Sequence, residues 1–383
     1  MAAQSRSVVV IVLGMTQTLA WASSYYLPAI LADPISAAID VPRSWFFAAF
    51  SISLLIAAFA GPAVGRMIDR NGGRGVLVLS NLVLAGGLVV LATANGAVAL
   101  FAAWAILGVG MALGLYDAGF ATLATLYGQG ARGPITGITL FAGFASTVSW
   151  PLTAFLNDAV GWRESCLVWA ALNVGLGLPL NLLLPSPARC GPPIHATKRS
   201  IGWKPHREMF LLAFVFAAAW FVTGSMAAHL PRLLESWGAT PVQAIFAGAL
   251  VGPAQVAARL GEFTLMRRTH PLLSARAATL LHPIGAVILA IAGPSMASVF
   301  AVLYGAGNGL LTIARGTVPL AIFGPDGYGE RTGLLSMPAR ATQAFAPFVF
   351  GILLDRMGNS VVVLSAGLCL TALVALLCLR ARY

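Results

Sequence analysis

A chain of 383 residues with 58% hydrophobic and only 9% charged side chains is not an ordinary soluble protein, where charged residues make up about 25%. The net charge of +11 would suggest nucleic acid if it were clustered, but the basic residues sit in alternate loops, so membrane topology accounts for it and nucleic acid is excluded. The four cysteines (Cys166, Cys190, Cys369 and Cys378) lack C-x-x-C spacing, so neither a metal site nor a disulfide framework is indicated.

The apolar residues fall in runs of about 20, the length that crosses a bilayer as a helix. The first run, 8–31, has only Arg6 before it and is interrupted by Thr16, Gln17 and Ser23. It is too long for a signal peptide and reads as a retained helix. Further spans are predicted over 45–66, 75–94, 97–127, 135–156, 163–184, 209–231, 241–261, 271–292, 295–323, 333–354 and 360–380, which makes twelve. The segment 185–207 is the one long polar connection, with five prolines and five basic residues, and it separates a first bundle (1–184) from a second (208–383). With both termini in the cytoplasm, seventeen basic residues fall on inner segments and four on outer loops (Arg43, Arg163, Arg232, Arg356), so the positive-inside rule fixes that orientation. A multi-pass protein of the cell's inner membrane is expected, with the bilayer as its standing partner.

The halves echo each other. Span four holds Gly108, Gly110 and Asp117; span ten holds Gly305, Gly307 and Arg315 at related places. Tyr26-Leu27-Pro28 closes span one and His229-Leu230-Pro231 closes span seven. Gly61-Pro62-Ala63 and Asp69 in span two are answered by Gly252-Pro253-Ala254 and Glu262 in span eight, and Thr136-Gly137 in span five by Thr332-Gly333 in span eleven. A parallel repeat of this kind, with a midplane site between the halves, is an established plan for transporters.

The connection after span two reads Gly65-Arg66-Met67-Ile68-Asp69-Arg70-Asn71-Gly72-Gly73-Arg74. It resembles the G-x-x-x-D-R-x-G-R-R signature of the major facilitator superfamily through Gly65, Asp69, Arg70, Gly72 and Arg74. Gly73 departs, because a basic residue is usual there. The resemblance covers the whole chain and implies an all-α polytopic fold of two pseudo-symmetric six-helix bundles. It also implies that this loop is a cytoplasmic latch for alternating access; the alternative is a solvated loop that only sets topology. The drug-exporter pattern G-P-x-x-G-G is absent from span five.

In that superfamily spans one, four, seven and ten line the pathway, with two, five, eight and eleven beside them. Helical spacing puts Asn308, Thr312, Arg315 and Pro319 on one face of span ten, and Ser336, Arg340, Gln343 and Pro347 on one face of span eleven. Gln17, Trp21 and Tyr25 share a face of span one; span four offers Tyr116 and Asp117, and span seven offers Trp220 and Thr223. A charge at the bilayer centre costs at least about 2.5 to 3.5 kcal/mol, which marks Asp117, Arg315 and Arg340 as candidates for function. Arginine keeps its charge and presents a fork suited to carboxylate or phosphate. Two arginines against one aspartate leave a net positive cavity, and a small organic anion, monocarboxylate-like, is the expected substrate. Arg315 pairing structurally with Asp117, and Arg340 acting as an inner gate, are the bland alternatives. Asp117 either carries a proton or serves as a fixed counter-ion, and the aromatic residues either wall the cavity or simply pack. His282, beside Pro283 in a peripheral span, is expected to be structural.

The expected function is secondary or facilitated transport by a monomer, without cofactor or metal and without enzymatic activity, with proton coupling left open. No G-x-x-x-x-G-K-[ST] loop offers nucleotide drive. Efflux of a drug, or of a metalloid such as arsenite, is the alternative. A membrane enzyme or sensor would need a clustered His/Asp/Glu set or a soluble output domain, and neither is visible.

Overall fold

The computed structural model describes residues 5–185, 207–265 and 269–379. The interior of the polar connection 185–207, Cys190, and the basic residues Arg189, Lys198, Arg199, Lys204, Arg267, Arg268, Arg380 and Arg382 lie outside them. The chain divides into two units: Met1–Lys204 with Phe323–Leu334, and Pro205–Ile322 with Leu335–Tyr383.

The first unit is built from α1 (Arg6–Ala22), α2 (Pro28–Ala38), α3 (Arg43–Asn71), α4 (Gly73–Ala92), α5 (Ala97–Gly114), α6 (Tyr116–Tyr127), α7 (Arg132–Ala142), α8 (Ala145–Val160), α9 (Trp162–Leu172) and α10 (Leu178–Leu182). These cover the first six predicted spans, but several are interrupted. Span one is α1 and α2 joined through a turn at Ser23–Leu27, and α2 runs on to Ala38. Span four breaks at Leu115, whose extended backbone (φ −82°, ψ −174°) separates α5 from α6. Span five breaks at Gly143 and Phe144, and span six contains a π-helical turn, Asn173–Gly177.

A break inside a bilayer releases backbone carbonyls that water cannot reach, so a side chain must meet them. Gln17 does this at span four: its Nε2 donates to the Gly114 carbonyl at 2.6 Å. The π turn is held in a similar way by buried amides. Asn173 Nδ2 donates to Ser23 Oγ (3.0 Å) and to the Trp169 carbonyl (2.9 Å). Asn81 Nδ2 donates to Asn173 Oδ1 (3.2 Å), and Asn181 Nδ2 to Asn81 Oδ1 (2.7 Å). Such interhelical bonds contribute about 0.6 kcal/mol each on average in a membrane bundle. They also fix which faces of α1, α4 and the π turn meet.

The second unit comprises α11 (Arg207–Ser236), α12 (Pro241–Thr264), α13 (Pro271–Ala292), α14 (Ala297–Phe323), most of α15 (Tyr328–Met357) and α16 (Val361–Leu377). Here α11 to α15 each run unbroken for 22 to 30 residues although all contain proline. A capping box, Thr240 with Gln243, starts α12. Leu233, Leu234, Phe300, Phe350 and Val361 are fully buried in one cluster. In both units large apolar side chains such as Phe59, Phe155, Ile291 and Val374 are exposed, which suits a lipid-facing surface.

Both units tie the pair of helices formed by their third and last spans with an arginine, at opposite ends. In the first unit Arg163 of α9 donates to the Ala92 carbonyl (2.6 Å), the last residue of α4. In the second, Arg276 of α13 donates to the Leu376 and Leu379 carbonyls at the end of α16 (3.0 Å each through Nη2). A cation at a helix C-terminus meets both the orphan carbonyls and the negative end of the macrodipole.

Candidate functional site

The signature loop is the best-defined feature of the first unit. Gly72 ends α3 with φ 78°, a conformation that suits glycine, and lets α4 start one residue later. One turn earlier, the Asp69 carboxylate accepts the backbone N–H groups of Gly329 (2.8 Å) and Glu330 (2.9 Å) at the start of α15. Arg66 Nη1 meets Glu330 Oε1 at 3.1 Å. A carboxylate at a helix N-terminus satisfies orphan donors and faces the positive end of the dipole. Gly65 permits the approach, because an added Cβ would lie 2.0 Å from the Gly329 carbonyl oxygen. Arg70 is exposed and Arg74 half-buried. The departure at Gly73 has a packing reason: a Cβ there would lie 1.8 Å from Thr122 Oγ1 of α6. Glu262, the sequence echo of Asp69, does something else. It is buried and accepts from Ser274 Oγ of α13 at 2.6 Å.

The other candidates of the first unit gather around the span-one turn. Trp21 lies 5.0 Å from both Tyr25 and Tyr116, ring centre to ring centre. Tyr116 stacks on Phe120 (5.2 Å), and Tyr25 meets Phe50 of α3 (5.6 Å). Tyr26 joins the set through Trp21 (5.9 Å) and Trp150 of α8 (6.0 Å). Tyr26, Phe50 and Phe120 are not among the sequence candidates; contacts across helices reveal Tyr26 and Phe50, and Phe120 joins through Tyr116 of its own helix. Gln17 is fully buried and committed to the Gly114 carbonyl. Asp117 stands in the first turn of α6, so the break at Leu115 places a carboxylate at a helix N-terminus within a span.

In the second unit Arg315 is almost completely buried, with 3% of its surface exposed. Its guanidinium carbon lies 4.7 Å over the ring of Trp220 on α11, and its Nη2 and Nε donate to Ser336 Oγ on α15 (2.8 and 3.3 Å). Next along α11, Thr223 Oγ1 donates to Asn308 Oδ1 of α14 at 2.9 Å. Trp220, Thr223, Asn308, Arg315 and Ser336 thus form one connected strip across three helices. Arg340 and Gln343, one and two turns beyond Ser336 on α15, are also buried. His229 Nε2 bonds the Pro347 carbonyl at 2.7 Å. A guanidinium on an aromatic face keeps its in-plane donors pointed past the ring edge, where a carboxylate can be bound. Among the described residues no set of three or more His, Cys, Asp or Glu is placed to hold a metal. Asp117 belongs to the first unit, and Arg315 and Arg340 to the second.

Long apolar helices with lipid-suited exteriors, a buried arginine on an aromatic face and a loop docked on a helix N-terminus together define a multi-span membrane transport protein. The family model of the Major Facilitator Superfamily matches residues 8–339, and the chain belongs to that superfamily of transporters rather than to any class of enzyme. A Mycolicibacterium smegmatis protein named as an MFS-type efflux pump is 31% identical over 229 residues, covering 54% of this chain and 50% of its own. An uncharacterized 38 kDa protein of Thermoproteus tenax is 29% identical over 307 residues, covering 75% and 72%. Among solved structures, the human organic anion transporter MFSD10 (TETRAN) superposes with a TM-score of 0.73 over 98% of this chain and all of its own, at 16% identity. A variant of the E. coli fucose:proton symporter FucP gives 0.77 over 97% and 98%, at 14% identity. At those identities the likeness is one of fold.

Proposed function

We propose that this transporter moves a small organic anion, monocarboxylate-like, across the cell's inner membrane by alternating access, as a monomer with both termini in the cytoplasm. One observation carries the anion reading. Arg315 is buried in the membrane-spanning part of α14, set on Trp220 and oriented by Ser336. Burying a permanent charge is costly, and this one is held by a ring face and a hydroxyl. Arg340 adds a second cation on the neighbouring helix, with Trp220, Asn308 and Gln343 as further substrate contacts. From the first bundle (1–184), Trp21, Tyr25 and Tyr116 supply aromatic surface and Asp117 the counter-charge; Gln17 supports the break beside it. Asp117 serves either as a fixed counter-ion or as a proton carrier. The loop of Gly65, Asp69, Arg70, Gly72 and Arg74 is the cytoplasmic gate, a role supported by the grip of Asp69 on the N–H groups of Gly329 and Glu330. The connection 185–207 joins the two bundles in this scheme.

The test is uptake of radiolabelled monocarboxylates into proteoliposomes, with and without a pH gradient. Arg315→Gln and Arg340→Gln are expected to abolish uptake while the purified proteins keep wild-type helicity; normal uptake by both variants would refute the anion site. Asp117→Asn retaining full concentrative uptake would exclude it as the proton carrier. Efflux of a toxic compound is the second reading, favoured by the named function of the M. smegmatis relative. It predicts drug-dependent quenching in everted vesicles that the Arg315→Gln change leaves intact.

A further inference from the structure

The sequence marks His282 as structural, yet its surroundings contain a site. The ring is 4% exposed and lies in the interior of α13. Its Nε2 pairs with Ser365 Oγ of α16 at 3.0 Å, and its faces meet Phe300 and Tyr304 of α14 (5.4 and 5.8 Å). Among the described residues Nδ1 has no hydrogen-bond partner. Either tautomer therefore leaves Nδ1 with one unmet polar need, a lone pair or an N–H. Beside the ring is a cavity of about 20 Å³, lined by Thr223, Thr279, His282, Asn308, Ala278 and Cys369 among others. A single water needs roughly 10–15 Å³ and two to four polar partners. Water is also the one small ligand that can serve either tautomer, by donating or by accepting.

The repeat explains why there is room. The spacing that relates Gly108 and Gly110 to Gly305 and Gly307 carries Asn81 to Ala278, and the spacing of Thr136 to Thr332 carries Asn173 to Cys369. In the first unit those two asparagines bond each other directly. In the second, a methyl and a thiol stand at the two places, and both line the cavity. Two amide side chains are thus replaced by smaller groups, and the space is left beside a buried polar nitrogen.

We propose that this cavity binds one water, which bridges His282 Nδ1 to the Asn308–Thr223 pair. The water completes a hydrogen-bonded chain from Thr223 on α11, through Asn308 on α14 and His282 on α13, to Ser365 on α16. His282 is then a positioning residue: it holds Asn308 from behind and does not touch substrate. The site stands whether or not the transported molecule is an anion.

The test is water-edited solid-state NMR of the full chain, labelled with ¹⁵N-histidine and reconstituted in lipid, with the His282 signals assigned by their loss in His282→Phe. Magnetisation is expected to pass from water to the His282 ring within milliseconds. Ala278→Val, which fills the cavity, should abolish that transfer and move the Nδ1 resonance; Asn308→Leu should weaken it several-fold. Cys369→Leu fills the same space from α16 should Ala278→Val not fold. A wild-type ring that receives no magnetisation from water, or transfer that survives in the filled variants, overturns the proposal. Unchanged transfer in Asn308→Leu overturns the bridge.

Discussion

Two glycines one turn apart on α3 are expected to respond very differently to the same added methyl. In Gly65→Ala the new Cβ would lie 2.0 Å from the Gly329 oxygen, 2.2 Å from its carbonyl carbon and 2.7 Å from the Glu330 nitrogen. All three are backbone atoms, so no rotamer change relieves the clash. Comfortable carbon contacts begin near 3.5 Å, so the two segments must part by roughly 1.5 Å. Asp69, one turn on, now holds Gly329 N at 2.8 Å and Glu330 N at 2.9 Å, and the same displacement takes both out of bonding range. Bonds to a charged group contribute about 1.5–3 kcal/mol each, and water recovers part of that for a half-buried carboxylate, so a loss of about 2–4 kcal/mol is expected. In Gly61→Ala the nearest atoms are 3.7 Å away, which is ordinary contact. That change should be neutral, or stabilising by up to about 1 kcal/mol through helix propensity. Thermal unfolding of the purified full chain in one detergent measures both. Gly65→Ala should melt several degrees below wild type and Gly61→Ala at or above it. Equal midpoints, or the reverse order, would refute the close-approach account.

Restoring the superfamily's usual basic residue, Gly73→Arg, should destabilise through its collision with Thr122, whose Cβ alone would lie 2.6 Å from the new one, and Thr122→Gly should relieve it in the double variant; additive losses in that cycle would rule the contact out. Asn173→Leu should lower the melting midpoint by the equivalent of about 1–3 kcal/mol, because it strands Asn81 and opens the bond to Ser23. Arg232→Gln, by contrast, removes an exposed pair with Asp355 and should cost less than about 1 kcal/mol at low salt and less still in 1 M salt. Trp220→Leu should weaken anion affinity about two- to thirtyfold while leaving the Arg315–Ser336 bonds in place, as read from the concentration dependence of uptake.

Much of the architecture was legible because it is periodic. Apolar runs set the spans, the spaced glycines and Thr-Gly pairs set the repeat, and Gly65-x-x-x-Asp69-Arg70 named the superfamily. The breaks were not legible, because in lipid the signal and the outcome separate. Pro231, Pro253, Pro283, Pro319, Pro338 and Pro347 all lie inside continuous helices. The break at Leu115 has no proline, and the freed carbonyl of Gly114 is met by Gln17, ninety-seven positions earlier in sequence. Local pattern cannot carry that information. The same holds for Asn81, Asn173 and Asn181, isolated amides in apparently featureless spans that become a network only when three segments meet. Arg315 was conspicuous by charge alone, but its seat on Trp220 joins two helices far apart in the chain. For the signature loop the motif marked the residues, while the identity of what Asp69 grips required the fold.

A helix with an unbroken backbone ladder carries an axial push along its whole length; one interrupted partway acts as two rods on a pivot. Spans one, four and five of the first unit are of the second kind, pivoting at Ser23–Leu27, Leu115 and Gly143–Phe144, whereas α11 to α15 are single rods. The breaks are therefore concentrated in one half of a chain whose halves echo each other in sequence. Deuterium labelling would register it directly. Amides flanking the three pivots should exchange well ahead of their repeat partners in α11, α14 and α15, giving a lopsided map from a symmetric sequence plan.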